Sequence, residues 1–361
     1  MTNRIFRLTK LLRNSSVIII SNLIITTASL AEPFIPQSND TVIVKWSIKE
    51  GLSKNKIDSI DQAIKTSENL LARASQPGRS GLYNLADSSL SSWVEKGTSN
   101  ALLWITWARI QQQKHDFDGA IESLNHALKL EPKNINAHLI MARIHVIQQR
   151  FELAKKSCID LTNSGDLLAG SICKFEVASH QGLLKESYRG LKRLVSSLPD
   201  SNSKKAWAIS NLSEMAARQE LWQEREAWLD LIYTENDISI LVDWADAKLK
   251  LKKYQEVSTK LSEVVERAPG SEDVILIKLA LAEKHLGNNQ TNIWKQRVKE
   301  RMELREKRED LYHASDLAIY YLDIDPNPKK ALQWAEINWQ QAREYKDEIL
   351  LQRAKDLFAE S

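Results

Sequence analysis

Glycine is scarce in this chain, 11 among 361 residues. Loops that cradle phosphate or expose a nucleophile need backbone free to turn left-handed, so the chain has little material for them. In keeping with that, the sequence holds no Gly-rich phosphate loop, no Gly-x-Ser-x-Gly elbow, no His-Glu-x-x-His and no Cys-x-x-Cys. The acid pair Asp323/Asp325 stands beside prolines, where turn formation accounts for it. His138 and His145 stand two turns apart on one expected helix, without a third ligand at a recognised spacing. No catalytic residue, cofactor or metal site is assigned from the sequence.

Cysteine is nearly absent. Cys158 and Cys173 are the whole complement, which excludes a scaffold held by several bridges. An excess of one charge is also missing. The net charge is +3, and residues 1–31 carry Arg4, Arg7, Lys10 and Arg13 with no acid. Without them the remainder stands at +3 − 4 = −1, so bulk electrostatics give no case for nucleic acid or an anionic membrane.

Long apolar runs are confined to one place. Val17–Ile25 follows the basic residues and precedes Ser29 and Ala31. This order reads as a secretory signal over 1–31, cleaved between Ala31 and Glu32, which implies a periplasmic protein. The run falls short of the ~20 residues of a membrane span. No stable membrane insertion is expected after cleavage, and no Cys follows the cleavage point to carry a lipid. Residues 32–55 read as an extended segment, with a short alternation at Thr41–Trp46 too isolated to make a sheet.

What the chain has in abundance is helical periodicity, and it repeats. With an offset of 34 residues, Trp104 aligns with His138, Trp107 with Met141, Ala108 with Ala142 and Phe117 with Phe151. Ala120, Leu124 and Ala127 then align with Ala154, Cys158 and Leu161. Small residues recur where two helices cross closely, with bulky apolar residues around them. This period and the ending Ala-Leu-Lys-Leu-Glu-Pro-Lys-Asn resemble the tetratricopeptide repeat family, clearest over 101–134 and 135–168. The resemblance implies an all-α fold over 56–361: a right-handed superhelix of about eight helix pairs with a capping helix at Lys346–Phe358. The last pair is expected at Asp310–Leu322 and Pro328–Ala342, and a Pro-Asp-Ser-Asn-Ser run is expected to cap the helix after it.

In that family the first helix of each pair lines the concave groove. The groove positions implied here include Ile105, Arg109 and Gln112, then Asn136, Leu139 and Arg143. Arg109 and Arg143 are equivalent across the offset, and two guanidiniums one repeat apart suit the carboxylates of an extended acidic segment. The plain alternative is that both pair with neighbouring acids. Glu176 and Asp246 take comparable places, so the groove changes sign along its length. Ile105 and Leu139 fill the sites where chaperone-binding members carry Lys, and that specificity is not carried over. Trp104, Trp107, Trp207, Trp228 and Trp244 lie on apolar faces and read as core. Cys158 and Cys173 fall on adjacent helices, as a bridge or as two buried thiols.

The mature chain also resembles one group of exported bacterial tetratricopeptide proteins, through Phe34–Val42, His115–Ala120, Trp207–Ala216 and Ala331–Trp339. That group carries Cys at both cysteine positions, which implies the bridge. The reading is a non-catalytic scaffold that holds a protein or peptide segment in its groove. One alternative is an accessory of a membrane assembly or metal-transport complex, docking by its outer face, where the charge-laced helix Gln290–Arg308 is the natural surface. The weakest alternative is a hydrolase of envelope polymers.

Overall fold

A computed structural model describes residues 57–287 and 293–361, and every regular element among them is helical. The helices follow one another in pairs: α1 (Ile60–Ala74) with α2 (Leu82–Glu95), α3 (Ala101–Gln113) with α4 (Phe117–Leu130), and α5 (Ile135–Ile147) with α6 (Phe151–Asn163). Next come α7 (Leu167–His180) and α8 (Leu184–Ser197), α9 (Lys205–Arg218) and α10 (Trp222–Ile232), and α11 (Ile238–Lys250) and α12 (Tyr254–Arg267). The series closes with α13 (Asp273–His285) and α14 (Ile293–Lys307), α15 (Ala314–Ile319) and α16 (Pro328–Gln341), and the final α17 (Tyr345–Ala359). The expected signal segment, its cleavage point, the extended stretch to residue 55 and the alternation at Thr41–Trp46 all lie outside the described residues.

The same local chemistry starts and stops each repeat. Asn100, Asn134, Asp166 and Asp237 cap α3, α5, α7 and α11, each accepting a backbone N–H at 2.9–3.2 Å. The second residue after each of these helices, and after α9, takes left-handed backbone: His115, Gln149, Gly182, Glu220 and Lys252. The following N–H then reaches back to a carbonyl of the last turn, as from Asp116 to Gln111 (2.9 Å), Arg150 to His145 (2.8 Å) and Lys253 to Lys248 (2.9 Å). This double closure satisfies carbonyls that the helix end leaves orphaned and turns the chain sharply into the second helix. The Pro-Asp-Ser-Asn-Ser run works differently from the expectation. The N-cap of α9 is Lys204, without a side-chain bond, while Asn202 holds the approach by accepting the Lys204 N–H at 2.9 Å.

The aligned small residues are where the helices cross. Ala108, Ala120, Ala127, Ala142 and Ala154 are buried, and Leu124, Cys158 and Leu161 pack around them. Trp244 is buried outright. Trp104, Trp107, Trp207 and Trp228 are partly buried against the core clusters. A disulfide joins Cys158 of α6 to Cys173 of α7. The first helix of the last pair departs from a plain helix. A 3-10 turn (Leu311–His313) leads into α15, and a π segment (Tyr320–Ile324) follows. The wider π turn lets both Tyr320 and Tyr321 point inward, where their hydroxyls donate to Asp325 (3.2 Å) and Glu306 (2.7 Å).

Distant repeats touch. The Ile238 N–H donates to the Ser75 carbonyl at 2.9 Å. The Glu272 carboxylate accepts the N–H groups of Gly78 (3.0 Å) and Ser80 (3.3 Å). The link between α16 and α17 crosses to the C-terminal end of α5, where the Arg343 N–H donates to the Ile147 carbonyl at 3.1 Å and Gln148 Nε2 to the Gln341 carbonyl at 2.8 Å.

Candidate partner-binding groove

Arg143 is the centre of a charged cluster carried by α5, α7, α9 and the α16–α17 link. Its Nη1 donates to Glu176 Oε1 at 2.8 Å and its Nη2 to Glu344 Oε1 at 2.6 Å. Around this triad stand Glu214 and Arg218 of α9, His180 at the end of α7, and Lys346, whose Nζ lies 3.0 Å from Glu344 Oε2. Protein surrounds the cluster, yet 39% of the Arg143 side chain remains accessible. Solvent therefore reaches the charges and screens them in part.

The titration behaviour follows from that crowding. Burial disfavours the charged guanidinium of Arg143, but Glu344, Glu176 and Glu214 outweigh it and raise its pKa. Burial pushes Glu344 up, while Lys346 and Arg143 pull harder and hold it at about 2. Glu214 goes the other way: burial, with Glu176 and Glu344 nearby, lifts it to about 7 against the pull of Arg143 and Arg218. His180 is held near 3 by burial and by Arg218 and Arg143, so it is neutral across the physiological range. Its ring lies against Arg218 Nη1, which donates to whichever ring nitrogen carries no proton.

Beside Arg143 lies a cavity of about 270 Å³, with Gln112, Leu139 and Trp207 among its walls. Three of the residues expected in the groove, Gln112, Leu139 and Arg143, thus come together. Arg109 is exposed and has no carboxylate partner among the described residues. Ile105 does not reach the groove surface: it is 4% exposed and belongs to the core cluster that Ile140 borders. Asn136 lies in a separate shallow depression at the α4–α5 turn. Sequence reading placed Glu176 in the groove but missed Glu344, 201 residues from Arg143; no local signal marks a pair so distant. Trp207, read as core, is half core and half cavity wall.

Two other places carry chemistry. A cleft of about 420 Å³ between α11, α13, the π segment and α17 is walled by Leu281 and Leu322, with Lys250, Lys284 and Arg353 at its rim. Asp273, His313 and Asp316 come close enough to share a cation. Both Asp273 oxygens, however, are already bound by guanidiniums, Arg301 at 2.8 Å and Arg305 at 3.0 Å, and those charges repel a metal. The same pairs use up part of the charge on α14, and Glu306 binds Lys330 at 2.9 Å.

Consecutive helix pairs, closed by one recurring turn and crossing at aligned small residues, define the architecture. It is an all-helical α-solenoid. No model of a known protein family matches the sequence, and no curated protein matches it either. Among solved structures, the solenoid is similar to pilF of Pseudomonas aeruginosa at 16% identity, over 55% of this chain and 89% of that one, with a TM-score of 0.40. It is similar to a tetratricopeptide repeat protein of Parabacteroides merdae at 14% identity, over 82% and 98% of the two chains, with a TM-score of 0.33. A third likeness is to Naa15/Naa10 bound to HypK-THB, at 14% identity over 82% and 46%, with a TM-score of 0.32. No described helix of the solenoid is long and apolar enough to cross a membrane.

Proposed function

We propose that the protein is a non-catalytic periplasmic scaffold that takes an extended, acidic segment of a partner protein into the groove at Arg143. The observation that carries this is the seat itself. A guanidinium on α5 is oriented by Glu176 and keeps solvent access, next to an apolar wall at Leu139 and a cavity at Gln112. Such a fork binds a carboxylate in a defined direction. Arg109, one repeat earlier and without a carboxylate partner among the described residues, supplies a second charge for the same segment. Ile105 supports the seat from the core. The bond between Cys158 and Cys173 suits an oxidising compartment, in agreement with the signal-like N-terminus. Docking through α14 draws less support, because Arg301, Arg305 and Glu306 are engaged inside the fold.

The test is crosslinking in living cells from a photoreactive residue at position 112, followed by identification of what is captured. Reversing both charges, with Arg109→Glu and Arg143→Glu, is expected to cut capture by about tenfold or more, the loss of one good charge-assisted contact. Undiminished capture by a folded double variant would refute the assignment.

A further inference from the structure

Arg143 is already engaged: the chain's own link between α16 and α17 crosses the C-terminal end of α5 and sets Glu344 on it. The link is extended at both of its key residues, Ala342 (φ −130°, ψ 137°) and Glu344 (φ −75°, ψ 164°). It meets α5 as a bound peptide meets a receptor. Gln341 gives its carbonyl to Gln148, and Arg343 gives its N–H to the Ile147 carbonyl. The Ala342 methyl, 9% exposed, packs in a core cluster otherwise built from α3, α4 and α5, with Ile105, Ala108, Phe117 and Ile144. Two residues on, the Glu344 carboxylate sits on Arg143.

We propose that this link is a resident ligand of the groove, and that the partner is an extended segment that copies it, a small apolar residue two positions ahead of a carboxylate, entering by displacing the link from Arg143. The inference rests on the scaffold reading and adds to it the kind of segment recognised and what holds the site shut. A tethered ligand competes at a high effective concentration, so a free segment binds weakly until the link is loosened. The contacts to be given up are few: the Arg343 N–H to Ile147, the Gln148 side chain to the Gln341 carbonyl, the Gln341 side chain with His115, one methyl, and one ion pair that solvent already screens. The rest of α17 keeps its own hold through Leu350, Leu351 and Ala354 in the C-terminal core.

The probe is a fluorescent synthetic peptide copying Gln340–Glu348, titrated onto the purified chain by anisotropy. Glu344→Arg sets the link's own side chain against Arg143 and is expected to tighten peptide binding by about tenfold or more over wild type. Adding Arg143→Glu should abolish that gain, and so should a peptide with Gln in place of its Glu344. Equal affinity for wild type and Glu344→Arg, or binding to neither, would overturn the proposal. Should Glu344→Arg fail to fold, hydrogen exchange on the wild-type chain decides: the Arg343 amide should open well before the interior amides of α5 and α16, and protection as deep as theirs would overturn displacement. A peptide that binds the opened variant, with no cellular protein caught at position 112, supports the resident ligand and removes the partner role. Capture without peptide binding removes the resident ligand alone.

Discussion

At the scale of single residues, the cluster around Arg143 couples this fold to pH. Glu214 releases its proton near 4.5 when unfolded and at about 7 when folded, chiefly because burial disfavours its charge. Between those values the native chain holds a proton that the unfolded chain has released. This group's contribution is therefore full below about 4.5 and is lost as the pH rises through 7. His180 and Glu344 act in the opposite sense. Their folded values of about 3 and about 2 lie below the unfolded ones, so their contributions are lost as the pH falls through those values. Below 6.5 the loss of the His180 contribution works against the Glu214 decline, so Glu214→Gln is expected to make the melting temperature rise more steeply with pH between 4.5 and 6.5 while leaving the acid-side loss in place. Melting curves of both proteins across that range check it, and an unchanged slope would move the effect elsewhere.

At the scale of the element, the repeat is held by its turn and, in one place, by a covalent bond. The turns rely on left-handed residues that are mostly not glycine, as at His115, Gln149, Glu220 and Lys252. The two N–H···O bonds that close each turn offset the cost of that backbone. The Cys158–Cys173 bond joins the second helix of one repeat to the first of the next, a junction where Leu161, Ala169 and Val177 already pack. Closing a loop of 15 residues is worth ~3 kcal/mol in the chain-entropy model. Replacing both cysteines by Ala should cost about that much in denaturant unfolding. The unfolded, unreduced wild-type chain should show no reactive thiol.

At the scale of the whole molecule, the solenoid gains contacts that a one-dimensional stack does not have. In a simple array each repeat touches only its neighbours. Here the first pair is tied to later turns through Ser75, Gly78 and Ser80, and the last link reaches α5. Glu272→Ala removes the acceptor of two of those N–H groups and is expected to cost about 1 kcal/mol. Hydrogen exchange should locate the loss in α1 and α2, with α5 to α9 unchanged. A uniform loss through all helices would mean that Glu272 acts within its own repeat.

The sequence by itself determined the repeat, because its signals are local. Alanines at crossings, turn residues at a fixed offset and an apolar stripe are all read within 34 residues. Helix spans such as Leu167–His180 and Ile238–Lys250 follow from them. Only the tertiary structure decided what Arg143 faces, since Glu344 comes to it from 201 residues away. The same holds for Ile105, whose turn of the helix points into the core although its equivalent Leu139 reaches the cavity. Periodicity fixes which face a side chain is on to within a turn. Which neighbour meets it is set by how the repeats add up in space.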